Sequence, residues 1–190
     1  MNNENEKITY YYDWLTLDKK EFHILSMLAD VGEFNGNLSD ICNYFHISVQ
    51  QNHRETIKKS IETLTDGGYI TSNKSGNTYT IRVVPKDNEI KIYRKWVHRI
   101  MNRKNKEPSV AWEQVLKLYL LYSFIGQEQL VTDAILASHL NTSESTISSA
   151  KKVLSQEFEA IIPKVVHEKR AENYFVTLGH EVQLTAWWNK

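Results

Sequence analysis

The sequence predicts a mainly α-helical α+β protein in which one unit, a helix-turn-helix followed by a small β-hairpin, occurs twice in tandem. Three observations carry this. Thr56-Ile57-Lys58-Lys59-Ser60-Ile61-Glu62-Thr63-Leu64 recurs in pattern as Thr146-Ile147-Ser148-Ser149-Ala150-Lys151-Lys152-Val153-Leu154, 90 residues later. Leu38-Ser39-Asp40-Ile41 matches Val131-Thr132-Asp133-Ala134 at a spacing of 93, which predicts three extra residues between the two helices of the first copy. Each third helix is then followed by short runs rich in Val, Ile, Thr and Tyr. A repeat of this length marks two copies of one supersecondary unit.

The elements of the first copy follow in order. Met1 to about Lys7 is polar and reads as a disordered tail, whereas Tyr10, Tyr11, Tyr12 and Trp14 supply aromatic area that has to pack or form an interface. Asp18 is an N-cap candidate for a first helix in which Phe22, Leu25, Leu28 and Ala29 fall at helical spacing, and Gly32 ends it. A second short helix starts near Ser39 with Ile41, Cys42 and Phe45 inward, and His46-Ile47-Ser48 is the turn into the third. Between Gln50 and Leu64, the residues Ile57, Ile61 and Leu64 form the buried stripe. Gln51, Asn52, His53, Arg54, Lys58 and Lys59 are left for the other faces. Asp66-Gly67-Gly68 closes this helix. Tyr69–Ser72 then pairs with Thr78–Val83 around the turn Asn73–Asn77, which carries Lys74.

Residues 86–106 form a connector with an apolar stripe of Ile90, Tyr93, Trp96, Val97, Ile100 and Met101, and read as a basic amphipathic helix. One face is expected to pack between the halves. The other, with Arg94 and Lys95, can serve a dimer contact or graze a nucleic-acid backbone. The domain limits expected are 1–85, 86–106 and 107–190.

Pro108 opens the second copy. A wide apolar helix carries Trp112, Val115, Leu116, Tyr119, Leu120, Tyr122 and Phe124 up to Gly126. Thr132 or Asp133 caps the next helix, with Ile135, Leu136 and Leu140 inward, and Ser143 caps the third. After Pro163, Val165-Val166 and Tyr174-Phe175-Val176 read as the strands of a second hairpin with Lys169 and Arg170 at its tip. Val182, Leu184, Ala186 and Trp188 alternate as in a separate last strand, with a short helix as the alternative.

Composition sets the class. The chain has 190 residues, 41% hydrophobic and 24% charged, enough for one good core or two small ones. No apolar run reaches the roughly 18 residues of a membrane span, and no signal-peptide pattern opens the sequence, so a cytoplasmic protein without a membrane partner is expected. Cys42 is the only cysteine, which excludes an internal disulfide and a thiolate-rich zinc site. The net charge is zero but unevenly distributed. Residues 1–85 hold 8 basic and 11 acidic residues, residues 86–106 hold 8 and 2, and residues 107–190 hold 7 and 10. Such clustering, more than total charge, decides whether a surface attracts phosphate.

The residue types of the third helices fit nucleic acid. Arg, Asn and Gln can bridge two atoms of a base edge, lysine serves phosphate, and short hydroxyls such as Ser145 and Ser148 allow close approach while Lys151 and Lys152 add charge. An enzyme finds little support. His167-Glu168 lacks a second histidine, Cys42 and His46 have no orienting partner, and the 7 histidines are scattered, so no catalytic residue, metal or cofactor is expected.

On the segment His139 to Leu154, with an apolar residue ending one helix and a polar turn leading into a Ser/Thr-started helix, the chain resembles the winged helix-turn-helix superfamily from about residue 15 onward. The resemblance implies tandem winged helix-turn-helix domains. It implies that residues 50–59 and 143–152 enter the major groove of double-stranded DNA, and that Lys74 and Arg170 on the wings contact backbone or minor groove. A transcription regulator follows, alone or as a homodimer. The tandem arrangement is also similar to replication initiators of plasmids and mobile elements, which would need replication proteins as partners. Protein-binding scaffolds of the same fold are a third alternative, and Glu144 with the acidic flanks keeps it open.

Overall fold

The computed structural model describes residues 6–103, 107–125, 131–171 and 174–184, with backbone alone for 165, 167–171 and 174–182. It is a mixed α+β protein of helices and small antiparallel sheets, divided into two compact units. One is Ile8–Glu89, and the other comprises Met1–Lys7 and Ile90–Lys190. The division therefore falls at residue 89, not at 85 and 106. Lys86 belongs to the first unit, where its ammonium lies 5.8 Å from the Tyr69 ring centre.

In the first unit, β1 (Lys7–Tyr11) leads into a short 3-10 turn, Tyr12–Thr16. The aromatic run packs as expected: Trp14 is buried, with its ring centre 5.6 Å from Tyr10 and 5.1 Å from Tyr11. Helix α1 (Lys19–Val31) starts after Asp18, although the Asp18 side chain makes no capping hydrogen bond. Phe22, Leu25 and Leu28 are buried, and Gly32 ends the helix with φ +79°, a conformation that glycine adopts without a Cβ penalty.

A strand that the sequence pattern does not announce follows, β2 (Glu33–Gly36). Glu-Phe-Asn-Gly has little strand propensity, and its extended form is held by pairing with a later strand. Helix α2 (Leu38–Tyr44) then begins on a capping box in which Asn37 accepts from the Ser39 and Asp40 amides and the Asp40 carboxylate accepts from the Asn37 amide at 2.7 Å. Helix α3 (Gln51–Asp66) buries Ile57, Ser60, Ile61 and Leu64 against α1 and α2.

The hairpin of β3 (Ile70–Ser75) and β4 (Thr78–Val83) completes a three-stranded sheet in the order β2-β4-β3. Its turn is tighter than the five residues expected. Ser75 pairs with Thr78, so only Gly76 and Asn77 turn, with Gly76 at φ +59°. Lys74 consequently stands on β3 instead of in a loose loop.

The second unit corrects the connector. Ile90 lies in β5 (Glu89–Tyr93), and the helix α4 spans only Arg94–Met101. Its apolar side packs on α5 (Trp112–Ile125), with the Trp96 and Tyr119 ring centres 6.2 Å apart. Helix α5 is buried nearly all round, from Val115 to Tyr122, as its wide apolar surface predicts. Each such aliphatic side chain removed from water contributes about 1.5–3 kcal/mol.

Helix α6 (Asp133–His139) is capped by Thr132 and α7 (Glu144–Lys152) by Ser143, whose side chains accept from the Ile135 and Thr146 amides. Ile135 is the exception to the expected stripe, being 49% exposed one step beyond buried Leu136. A π-helical turn, Val153–Glu157, extends α7 into a hairpin of β6 (Ile161–Ala171) and β7 (Tyr174–Leu184). What the pattern splits into a short second strand and a separate last one is a single strand. Pairing runs from Ala171 with Tyr174 to Ile161 with Leu184, across register shifts at Val166/His167 and Lys169/Ala171. Ala186 and Trp188 lie outside the described residues.

The two copies agree in backbone detail. His46 and Asn141 both take positive φ, +53° and +49°, one residue beyond the caps of α2 and α6. In each, the next amide returns to the helix, Ile47 to the Cys42 carbonyl and Thr142 to that of Ala137, both at 3.0 Å. Leu38 and Asp133, which open two 7-residue helices, are 95 positions apart, so the first copy has five extra residues ahead of the stretch that matches at 90, not three. They lengthen the turn and add Gln51, Asn52 and His53 to the start of α3.

Candidate nucleic-acid interface

Inward packing of Ile57, Ile61 and Leu64 fixes the rotation of α3 and turns Gln51, Asn52, Arg54, Lys58 and Lys59 outward, all of them exposed. Arg54 and Lys58 are four apart and share a face. The start of α2, the outer face of α3 and the β3–β4 hairpin together enclose an open cleft of about 430 Å³. Arg54, Lys58, Lys74, Asn77, Tyr79 and Asn37 line it together with Leu38 and Ser39. Three cations from two elements meet there, and no described residue of the lining is a carboxylate.

Their local partners are weak. Lys58 Nζ is 3.6 Å from Glu62 Oε1, with both side chains more than half exposed, a pair worth about 0.3–0.5 kcal/mol and screened by salt. Lys74 Nζ sits 5.4 Å from the Tyr79 ring centre. Phosphate oxygens can displace both at little cost.

The rest of the α3 set divides. Lys59 is exposed beside the cleft without lining it. The added helical start is occupied by local hydrogen bonds: Gln51 donates to Glu55 at 2.9 Å, Asn52 Oδ1 accepts from the His53 amide at 2.9 Å, and His53 Nδ1 lies 2.8 Å from the Ser48 carbonyl. Below it, burial pushes the Cys42 thiol up from its ordinary value, with the Arg54 charge acting in the opposite direction.

The second copy carries another surface on the same frame. At the spacing of 90, Arg54, Lys58 and Lys59 are replaced by Glu144, Ser148 and Ser149. Lys151 is buried and ion-paired with Asp133, so it is not an outward cation. Lys152 and Ser148 are exposed, whereas the Ser145 hydroxyl is 2.8 Å from the Ser143 cap. The cleft beside α7, about 330 Å³, is lined by Ser109, Gln114, Ser145, Thr146 and Ser149 among others, and no described residue of its lining is charged.

The basic connector is taken up internally in part, with Lys91 and Arg99 left exposed. Arg94 is buried with its guanidinium 3.0 Å from Glu6, which removes it from the accessible set, and Lys95 is half-buried. Arg103, only 3% exposed, pairs with Glu157 at 2.8 Å and also donates to the Pro108 and Val110 carbonyls. Arg99 lies 5.8 Å from the Phe158 ring centre. Lys104 and Lys106 are outside the described residues. Lys169 and Arg170 stand near the end of β6, and their side chains are likewise outside the description.

Asn37, Leu38, Ser39, Asn77 and Tyr79 belong to the cleft without standing out in the sequence pattern. The capping-box spacing of Asn37 and Asp40 was the available signal for the first three. Among the described residues, no three His, Cys, Asp or Glu side chains are grouped to hold a metal ion, and no helix is long and apolar enough to cross a membrane. No protein-family model matches the chain, and no curated protein matches it either.

Proposed function

We propose that this chain is a sequence-dependent double-stranded DNA-binding protein of two tandem winged helix-turn-helix domains, acting as a transcription regulator, and that its first domain is the reader. The observation that carries the reading is the cleft in which Arg54 and Lys58 of α3 meet Lys74 of the hairpin with no carboxylate among the described residues of the lining. In this reading α3 enters the major groove, the hairpin follows the adjoining strand as the wing, and the three cations hold phosphates while Gln51 and Asn52 exchange their local hydrogen bonds for contacts to base edges.

A second reading concerns the other half. Glu144, Ser148 and Ser149, in place of the three cations, favour a protein partner or a second copy of this chain for the α7 surface. The test is recovery of bound duplexes from a random and genomic pool, followed by affinity at two salt concentrations. An enriched motif with a steep salt slope supports the proposal, and half-site spacing separates a regulator's operator from the repeated sites of a replication origin. No enrichment with only weak, salt-sensitive binding overturns it in favour of a protein-binding scaffold.

A further inference from the structure

On the opposite flank of α3 lies a second cavity, about 350 Å³, between that helix, α1 and the turn after α2. Its character differs from that of the cationic cleft. Ile24, Phe45, Ile47 and Ile57 form apolar walls, and Ile47 remains 40% exposed, so the cavity is open at the turn. Phe45 is backed by the His23 ring, 5.5 Å away and tilted by 29°, which makes a flat aromatic wall. The volume, and apolar walls interrupted by the polar residues Lys20, His23, His53, Thr56 and Ser60, match a small-molecule pocket.

Two of its polar groups indicate what such a molecule carries. Exposed Lys20 is the cationic residue of a lining in which no described residue is a carboxylate, so an anionic group is favoured there. His53 Nδ1 is 2.8 Å from the Ser48 carbonyl oxygen, which only accepts, so Nδ1 bears the hydrogen. In the neutral ring Nε2 then keeps the lone pair and accepts from a ligand donor.

We propose that this cavity binds a small aromatic carboxylate bearing an N–H or O–H donor on its ring system. The aromatic body lies against Phe45 and the three isoleucines, the carboxylate meets Lys20, and the ring donor meets His53. Ile57 and His53 are on the helix that presents Arg54 and Lys58, so occupancy adjusts the position of that helix. Only this regulatory sense rests on the DNA-binding reading; the site itself does not.

The test uses the full-length, nitrogen-15-labelled protein titrated with indole-3-acetate, with indole-3-acetamide lacking the charge, and with naphthalene-1-acetate lacking the ring donor. Expected are saturable shifts centred on residues 20–24, 45–47 and 53–60, with each truncated probe binding about fivefold more weakly or worse. Lys20→Ala removes the preference for the acid over the amide. Thr56→Trp, at a half-buried rim position, fills the cavity and abolishes binding of all three. Equal affinity for acid and amide overturns the carboxylate assignment. Absence of saturation, or shifts indifferent to Thr56→Trp, overturns the site. Because the readout contains no DNA, these failures are distinct from failure of the proposed function.

Discussion

Lys151 occupies in the second copy the place that Ile61 holds in the first: the two are 90 residues apart, and both are buried on the inner face of their helices. An aliphatic side chain fills that place in one copy, and an ion pair to Asp133 fills it in the other. The two helices thus share a pattern of burial, while their chemistry differs inside as well as outside.

The pair leads to a stability prediction. Lys151→Ala leaves Asp133, 22% exposed in the pair, without its ammonium, and should cost about 2 kcal/mol, at the low side of buried-pair losses because the carboxylate reaches water. DNA affinity of the folded variant should be unchanged. Lys151→Ile combined with Asp133→Ala should recover most of the loss in urea unfolding. A Lys151→Ala protein of normal stability with impaired DNA binding would return this lysine to the outer surface.

Neutralising Arg54, Lys58 and Lys59 to alanine should weaken DNA binding and flatten the slope of log affinity against log salt by about 2 to 3, since each phosphate contact contributes close to one unit. Ser148→Ala with Ser149→Ala, at the equivalent places of the second copy, should leave the slope as it was. Unchanged affinity in the triple variant would remove α3 from the interface.

The second-copy helices were legible because caps, buried stripes and breakers agree, as at Thr132, Ser143 and the Val115–Tyr122 run. The strand β2 was not, because Glu33–Gly36 owes its form to β4, far along the sequence. The same holds for charge. Arg94 and Arg103 look like free cations in a basic run, and only tertiary folding brings Glu6 and Glu157 to them. Lys151 was different: alignment with Ile61 already marks it as inward. The cleft itself joins residues 37–39, 54–58 and 74–79, a convergence no local pattern encodes.

Asn37 has a structural task apart from lining the cleft. Removing its side chain in Asn37→Ala deletes the acceptor for the Ser39 and Asp40 amides and should lower stability by about 1 kcal/mol, with Asn37→Asp retaining most of it. Thermal melting of the three proteins side by side checks the order.

Tyr122 sets a pH dependence. Burial, and then the Asp133 carboxylate, hold its phenol well above the usual 10.0. Its contribution is therefore complete below about pH 10 and is lost as pH rises toward the native value, because the unfolded chain ionises first. Its hydroxyl has no hydrogen-bond partner among the described residues, so Tyr122→Phe should keep neutral-pH stability and lessen the alkaline loss. Urea midpoints at neutral and alkaline pH, read against wild type, decide this. An undiminished alkaline slope would assign the loss to other groups, beginning with buried Tyr10, whose phenol is also raised by burial.

Glu6 joins Arg94 across a gap of 88 positions, by a side-chain ion pair and by the Arg94 amide on the Glu6 carbonyl. The unit that contains them is consequently discontinuous in sequence, and Ile8–Glu89 stands within it as an insertion. The insertion is one unbroken stretch of sequence, whereas its host is in two pieces. A fragment beginning at Ile90 lacks the Glu6 carboxylate that pairs with buried Arg94, so the C-terminal half keeps this ion pair only when Glu6 is carried in front of it.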